Sequence, residues 1–350
     1  MSGTSLDGVD LCLARFRPGS WEDFEIVEAE TRGYPDSWRA RLKGAFEASG
    51  GDSEELVQLH EDYGTYLGKL VKSFLSDRGV DGVDLIASHG HTVHHRPDLG
   101  LTRQVGSGKA ICEETGVTVV SNFREQDVKL GGQGAPLVPI GDELLFKGYE
   151  VCLNLGGIAN LSFSSEGKRL AFDIVPVNLV LNHYAVSKLG LPYDDGGSTA
   201  REGDLVPALL DVLNALEFYD KALGPKSLGY EFVVDTIFPL LENSGVSSTA
   251  DVLRTFTEHA ACQIAKTLKG TGKSRVLVTG GGAYNTFLVE RIRTLSGFDE
   301  VCVPDPEIVE FKEALIFGLL GVLRLEGINN CLSSVTGAQR DHCSGDLHQK

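Results

Sequence analysis

Three short turns in the sequence carry residue types suited to holding phosphate or a nucleotide. Met1-Ser2-Gly3-Thr4-Ser5-Leu6-Asp7-Gly8 is a small, hydroxyl-rich loop leading directly into an apolar run that starts at Val9-Asp10. Asn154-Leu155-Gly156-Gly157-Ile158-Ala159-Asn160 reads as a strand, a tight turn and a second strand. Glycine lets backbone N–H groups approach phosphate oxygens closely, hydroxyls add donors, and Asp7 could organise a Mg²⁺ ion through its water shell. Gly280-Gly281-Gly282 follows Val276 to Thr279 and precedes Asn285 and a helical stretch. A strand, a glycine turn and a helix in that order suit a nucleotide's sugar or base, since a bulky side chain there would block close approach. Each turn alone is equally a plain connection. Two similar hairpins, one in each half of the chain, point to two similar lobes facing one another across a nucleotide. Gly270-Thr271-Gly272-Lys273-Ser274 imitates a P-loop, but Thr267 stands where the first glycine is required and the segment precedes its strand.

In the whole chain, 42 glycines among 350 residues are about twice the average share, and they cluster after apolar runs. The length fits about two domains, and 42% apolar residues exclude a wholly disordered chain. With 49 acidic against 32 basic residues the net charge is −17, which repels a nucleic-acid backbone and an anionic membrane. No run reaches the roughly 18 apolar residues of a membrane span, and Met1 to Asp10 has neither the basic region nor the apolar core of an export signal. Seven scattered cysteines read as reduced thiols. The expectation is a soluble, cytoplasmic protein.

The elements that must position these turns follow from periodicity. Strands are expected at Val9 to Phe16, Phe24 to Glu30, Val83 to Ser88, Val117 to Val120, Val151 to Leu155, Asn160 to Phe163, Leu170 to Ile174, Arg275 to Thr279 and Val301 to Val303. Helices are expected at Asp36 to Ala48, Ser53 to Leu75, Lys109 to Thr115, Asp142 to Phe146, Leu179 to Leu189, Asp204 to Phe218, Ala250 to Leu268, Asn285 to Arg293 and Glu310 to Leu325. This mixture, without a fixed repeat, is an α/β protein. A domain boundary is placed near the Gly- and Pro-rich segment Gly131 to Pro139, and the polar tail Ser333 to Lys350 is expected to be loose.

Six motifs occur in a distinctive order: Met1 to Asp10 (MSGTSLDGVD), Ser88 to Val93 (SHGHTV), Gly131 to Pro139 (GGQGAPLVP), Asn154 to Asn160 (NLGGIAN), Pro225-Lys226-Ser227 and Gly280 to Asn285 (GGGAYN). Over nearly the whole chain, to about Ala338, the sequence closely resembles the anhydro-N-acetylmuramic acid kinases, bacterial cell-wall recycling enzymes of the actin, hexokinase and heat-shock ATPase superfold. The resemblance implies a two-lobed actin-like, ribonuclease H-like fold. Residues 1–126 and about 308–350 would form the first domain and 127–307 the second. It also implies an ATP-dependent kinase that opens 1,6-anhydro-N-acetylmuramic acid with water while phosphorylating O6, giving the 6-phosphate and ADP. ATP would be held by Gly3, Thr4, Ser5, Leu6, Asp7, Gly8, Val9 and Asp10, by Gly156, Gly157 and Asn160, and on the adenosine side by Gly280, Gly281, Gly282 and Asn285. Asp7 would serve Mg²⁺ through water.

The same resemblance assigns the remaining residues. Asp173 in Asp173-Ile174-Val175-Pro176-Val177-Asn178 matches the aspartate of the family's Asp-Thr-Gly-Pro-Gly-Asn motif and would be the general base, with Asn178 on the substrate side. Val175 and Val177 replace both motif glycines. The competing reading of Asp173 is a cap on the helix beginning near Asn178. Arg124 and Asp127 match an Asp-Phe-Arg-x-x-Asp pattern that has Asn122 in its first place, and the guanidinium could take a lactyl carboxylate bidentately. Glu313 falls at a sugar-contacting glutamate. Among His89, His91, His94 and His95, a metal site is disfavoured because the family has Gln at the place of His91. His89 and Thr92 would line the sugar site, with the other histidines on its polar rim. Family members carry an apolar strand ahead of the first motif, so Val9 to Phe16 is expected to lack a ladder partner and the first loop to be mobile. The expected partners are ATP, a small sugar and a second copy of the chain as a homodimer. The alternatives are another sugar kinase, an acyl or carbamoyl transferase of the superfold, or a non-catalytic nucleotide-dependent assembly protein.

Overall fold

Alternating side chains from Gly8 onward produce β1 (Gly8–Phe16), which pairs antiparallel with β2 (Phe24–Gly33), from Gly8 opposite Gly33 to Phe16 opposite Phe24. In this computed structural model, which describes residues 1–3, 6–47, 53–298 and 300–350, Val9 and Leu11 of β1 enter the core. The expected absence of a ladder partner for β1 is therefore corrected: β2 satisfies it along its length, and the Asp10 amide donates to the Met1 carbonyl at 2.8 Å. Thr4, Ser5 and the helix end at Ala48 lie outside the described residues.

The chain divides into two compact units, Met1–Leu145 with Phe311–Lys350, and Phe146–Glu310. In the first unit, β1 and β2 are followed by the helices Asp36–Glu47 and Glu54–Asp77, the second opened by Ser53, whose Oγ accepts from the Leu56 amide. Leu56, Leu59, Tyr63, Leu67 and Phe74 recur at helical spacing and are buried against the core of this unit. Next come β3 (Ile86–Ser88) and the hairpin β4 (His91–Arg96) and β5 (Leu101–Val105). The hairpin escaped the periodicity reading because His-Thr-Val-His-His-Arg carries little apolar signal. The helix Gly108–Thr115 leads to β6 (Val119–Ser121), which runs parallel to β3.

The tail is ordered, which corrects the expectation that it is loose. Asp346–His348 adds antiparallel to β6, and the Ser344 Oγ donates to the Phe123 carbonyl at 2.7 Å. The Asn330 amide nitrogen donates to the Leu320 and Ser344 carbonyls from a buried position. Backbone pairing and buried polar side chains hold this segment in place of an apolar face.

The first unit also continues beyond the division expected after Gln126. Asp127 accepts from the Gly134 amide and from Thr336 Oγ1, and Lys312 pairs with Asp142 at 3.1 Å inside the same unit. These contacts tie residues 127 to 145 to the chain that returns at Phe311.

In the second unit β7 (Val151–Leu155), β8 (Ile158–Ser165), β9 (Lys168–Pro176), β10 (Arg275–Thr279) and β11 (Glu300–Cys302) form one sheet in the order β11-β10-β7-β8-β9. β8 is antiparallel to both neighbours, whereas β7, β10 and β11 are mutually parallel. Counted from one to five along the chain, the spatial order is 3-2-1-4-5 with the second strand reversed, the ribonuclease H-like arrangement expected of an actin-like lobe. β7 and β10 read as almost continuously apolar because both their faces are buried, and the helix Thr249–Gly270 supplies Leu253, Phe256, Ala260 and Ile264 to the same core.

Candidate active site

Sheet register builds the candidate residues of the second unit. Thr279 on β10 pairs with Asn154 on β7, Asn154 with Asn160 on β8, and Asn160 with Asp173 on β9. Residues directly opposite in a sheet share a face, so four polar side chains form one row across four strands. Between Ala159 and Asn160 the β8–β9 register shifts, leaving Ile174 as an extra residue on β9. Such bulges re-aim a side chain, and this one aligns Asp173 with Asn160. The Asp173 amide donates to the Lys226 carbonyl at 3.0 Å, and its Oδ2 accepts from the Leu228 amide at 2.8 Å, so the Pro225-Lys226-Ser227 segment lies beside β9. Burial raises the Asp173 carboxyl above its ordinary value, opposed by the Leu228 hydrogen bond.

The Gly156-Gly157 turn joins β7 and β8 and rests on the start of the helix Asn178–Tyr184. The Gly157 carbonyl accepts from the Val177 and Leu179 amides, and the Gly156 carbonyl from the Asn178 amide. The helix has no side-chain cap, so the capping reading of Asp173 is set aside. Val175 and Val177 are fully buried and neither has a positive φ, so valine is compatible with the backbone adopted here. Asn178 Nδ2 donates to the Leu155 carbonyl at 3.2 Å, linking the helix to the end of β7.

The third glycine cluster divides by cause. A Cβ on Gly280 would lie 2.5 Å from Asn154 Oδ1, and one on Gly282 would lie 2.8 Å from Leu155, so both glycines are required by packing on β7. Gly281 has no such constraint, its nearest neighbour being Asn178 Nδ2 at 3.8 Å. Asn285 caps the helix Thr286–Ser296 through an acceptor bond from the Leu288 amide. The Gly270 to Ser274 segment is the connection between the helix Thr249–Gly270 and β10, as expected, and Glu150 Oε2 accepts from the Ser274 and Arg275 amides there.

In the first unit the opening loop places Gly3 and Asp7 at the surface and Leu6 at φ 57°. Val9 faces the core, Asp10 accepts from Thr31 Oγ1 at 2.6 Å, and a Cβ on Gly8 would stand 2.5 Å from the Arg32 carbonyl oxygen. Among the described residues the Asp7 carboxylate makes no hydrogen bond or ion pair. A hard, solvent-facing oxygen donor of this kind fits a hydrated Mg²⁺.

His89 and Arg124 form a pair. Arg124 Nε donates to His89 Nε2 at 2.8 Å, and His89 Nδ1 donates to the Gly90 carbonyl at 3.0 Å, which fixes a neutral tautomer. Burial and the Arg124 charge hold His89 well below the ordinary histidine range. Arg124 Nη1 donates to the Gly134 carbonyl at 2.8 Å, leaving one N–H on Nη1 and both on Nη2 for an end-on carboxylate fork. His89 therefore orients Arg124. Thr92 Oγ1 accepts from Gln104. The Glu313 carboxyl is raised above its ordinary value by desolvation, opposed by the Arg124 charge. Asp127 is fully buried, and its oxygens accept from the Gly134 amide and Thr336 Oγ1. This corrects its assignment to the sugar: a Cβ on Gly132 would sit 2.2 Å from Asp127 Oδ2, so the carboxylate fills the turn itself.

His91 corrects the polar-rim expectation. It is buried, and its Nδ1 hydrogen-bonds Ser2 Oγ at 2.9 Å. Ser2 Oγ bonds Tyr34 Oη at 2.6 Å, and Tyr34 bonds Tyr63. Ser2, Tyr34 and Tyr63 were absent from the sequence-based candidates. The signal available was a serine inside the first motif, but its tyrosine partners lie on other elements and have no local pattern. Among the described residues no disulfide joins any of the cysteines. Among the described residues, no helix is long and apolar enough to cross a membrane.

Comparison with known proteins gives a consistent result. A family model described as anhydro-N-acetylmuramic acid kinase matches residues 1–350. A protein of that name from Gloeobacter violaceus is 36% identical over 369 aligned positions, covering 99% of this chain and 97% of the relative. Another from Pseudomonas putida is 36% identical, covering 97% and 95%. A third from Francisella tularensis subsp. novicida is 32% identical, covering 99% and 97%. Among solved structures, component A of the (R)-2-hydroxyglutaryl-CoA dehydratase of Acidaminococcus fermentans matches at TM-score 0.35 and 12% identity, covering 58% of this chain and 77% of that one. A ROK family glucokinase from Streptomyces griseus matches at TM-score 0.28 and 14% identity, covering 66% and 76%. On the whole-length family match and these relatives, the chain belongs to the anhydro-N-acetylmuramic acid kinase family.

Proposed function

We propose that this chain is the ATP-dependent kinase that hydrolytically opens 1,6-anhydro-N-acetylmuramic acid and phosphorylates O6, with Asp173 as the general base. The observation that carries the residue assignment is the placement of a half-buried carboxylate of raised pKa by a strand bulge, in a row of polar side chains. A raised pKa makes a carboxylate a better proton acceptor near neutrality. Water, deprotonated by Asp173, forms a bond to the anomeric carbon as the bond from that carbon to O6 breaks. O6 then takes the γ-phosphoryl group and ADP departs.

The remaining residues are assigned by what their geometry leaves available. Arg124, oriented by His89, offers its free N–H groups to the sugar's lactyl carboxylate, with Thr92, Asn178 and Glu313 as further sugar-side groups. The open backbone at Gly281 and the turn at Gly156, Gly157 and Asn160 receive ATP, as do the first loop and the Gly280, Gly282 and Asn285 framework. Asp7 would hold Mg²⁺ through water, and the bound ion would supply charge neutralisation at the phosphates. Seven cysteines that form no disulfide among the described residues support a cytoplasmic location, and the charge of −17 opposes nucleic acid as a partner. A homodimer belongs to the same reading and would sediment at twice the 37.7 kDa chain mass.

A coupled assay of ADP release tests the function. Release is expected only when the anhydro sugar is present. Equal release without sugar would indicate a simple ATPase, and release with another hexose alone would move the assignment to a different sugar kinase.

A further inference from the structure

The geometry points to a zinc(II) site in the first unit, formed by Asp127, Cys331 and His342. One candidate ligand atom from each residue lies within 4.8 Å of the others, and all three residues are buried, His342 at 5% exposure, Cys331 at 2% and Asp127 at 0%. His342 Nε2 is buried without a hydrogen-bond partner among the described residues and stands 3.6 Å from Asp127 Oδ1. The other ring nitrogen, Nδ1, lies 3.2 Å from the Arg340 carbonyl, which can only accept. In the neutral ring this puts the proton on Nδ1 and leaves the Nε2 lone pair facing a carboxylate oxygen. A metal cation between His342 Nε2 and Asp127 Oδ1 would satisfy both.

The donor set and its support match zinc. A carboxylate, a thiolate and an imidazole are all zinc ligands, and zinc-bound histidines usually donate the other ring N–H to a backbone carbonyl or carboxylate. Bond lengths near 2.0 Å to nitrogen and oxygen place tetrahedral ligands about 3.3 Å apart, close to the observed His342–Asp127 spacing. Cys331 and His342 are already paired, since the Cys331 amide donates to the His342 carbonyl at 3.1 Å and the His342 amide to the Cys331 carbonyl at 3.2 Å. Asp127 is fixed by Gly134 and Thr336, so all three ligands sit on held backbone.

Charge also balances. Binding zinc forms a zinc–sulfur bond and releases the thiol proton to solvent. One thiolate and one carboxylate then cancel the two positive charges, which leaves no net charge to repel the Arg124 guanidinium nearby. A water molecule takes the fourth position. The ion would clamp the C-terminal hairpin to Asp127 and the Gly131 to Pro139 segment.

The full chain, stripped with a chelator, is titrated with Zn²⁺ against a chromophoric chelator, and separately with Co²⁺ while its absorption is recorded. One ion per chain, a melting temperature raised by Zn²⁺ and a thiolate-to-cobalt charge-transfer band in the near ultraviolet are expected. Cys331→Ser should remove that band, His342→Gln should weaken Zn²⁺ at least about tenfold, and Cys343→Ser should change neither. A wild-type chain that binds no ion, or binds Co²⁺ without a thiolate band, overturns the site, as does unchanged affinity in both ligand variants. The wild-type cobalt spectrum decides the matter even if a variant fails to fold.

Discussion

Asn160 on β8 stands directly opposite Asp173 on β9, and the extra residue Ile174 is what brings them into register. Without that bulge the strand's period of two would set the neighbouring residue opposite Asn160 and turn the carboxylate to the other face. The Leu228 amide then donates to one carboxylate oxygen, Oδ2, at 2.8 Å.

Asp173→Asn is expected to fold and to lose at least about 10²-fold in kcat, because the amide cannot take the water's proton while its oxygen can still accept from Leu228. Circular dichroism and steady-state kinetics check both parts. Near-normal turnover would remove Asp173 from the chemistry.

The raised pKa of Asp173 has two consequences of opposite benefit. With Asp173 as the proposed general base, kcat should fall as pH drops through a value above the ordinary 3.8. Stability runs the other way. The folded state binds this proton more tightly than the unfolded chain does, so Asp173 favours folding below its folded pKa and costs stability at neutral pH. Asp173→Asn should therefore melt no lower than wild type at neutral pH. Thermal melts across the acidic range should show any advantage shrinking as Asp173 takes up its proton in the wild type.

His89 accepts a hydrogen bond from Arg124 Nε, the contact by which it is proposed to position Arg124. His89→Ala should raise the KM for the anhydro sugar about tenfold or more, since hydrogen bonds to charged groups are worth about 1.5–3 kcal/mol, while leaving the KM for ATP near its wild-type value. His89→Gln, whose carbonyl can accept from Arg124 Nε, should restore part of the loss. A uniform fall in kcat with both KM values unchanged would contradict this positioning role.

The glycine cluster after β10 separates packing from binding. Gly280→Ala and Gly282→Ala should lower the melting temperature, because their added Cβ atoms meet β7 at 2.5 and 2.8 Å. Gly281→Ala has room and should melt like wild type while raising the KM for ATP. If Gly281→Ala binds ATP normally, the adenosine assignment at that position fails.

Much of this was legible in the sequence because it is local. The apolar runs of β7 and β10, the Gly156-Gly157 turn and the helix Thr249–Gly270 each carry their own pattern, and Asp173 sits in a recognisable motif. What was hidden depends on pairing across long separations. The β4–β5 hairpin lacks apolar alternation, and the tail is held by Ser344, Asn330 and pairing with β6, none of which has a local signature. Asp127 looked like a ligand for the sugar because its type and motif position fit. Its burial against Gly134 and Thr336 emerges only once residues more than two hundred positions apart meet.

The central claim is that water opens the anhydro ring as O6 is phosphorylated, and an isotope measurement tests it most directly. The reaction is run with ATP and 1,6-anhydro-N-acetylmuramic acid in water enriched in ¹⁸O, and the product is examined by mass spectrometry with fragmentation. One ¹⁸O at the anomeric hydroxyl, with none in the phosphate group or its bridge to carbon 6, is the expected result. A phosphorylated product with no label at the anomeric position, or with label in the phosphate, would contradict it.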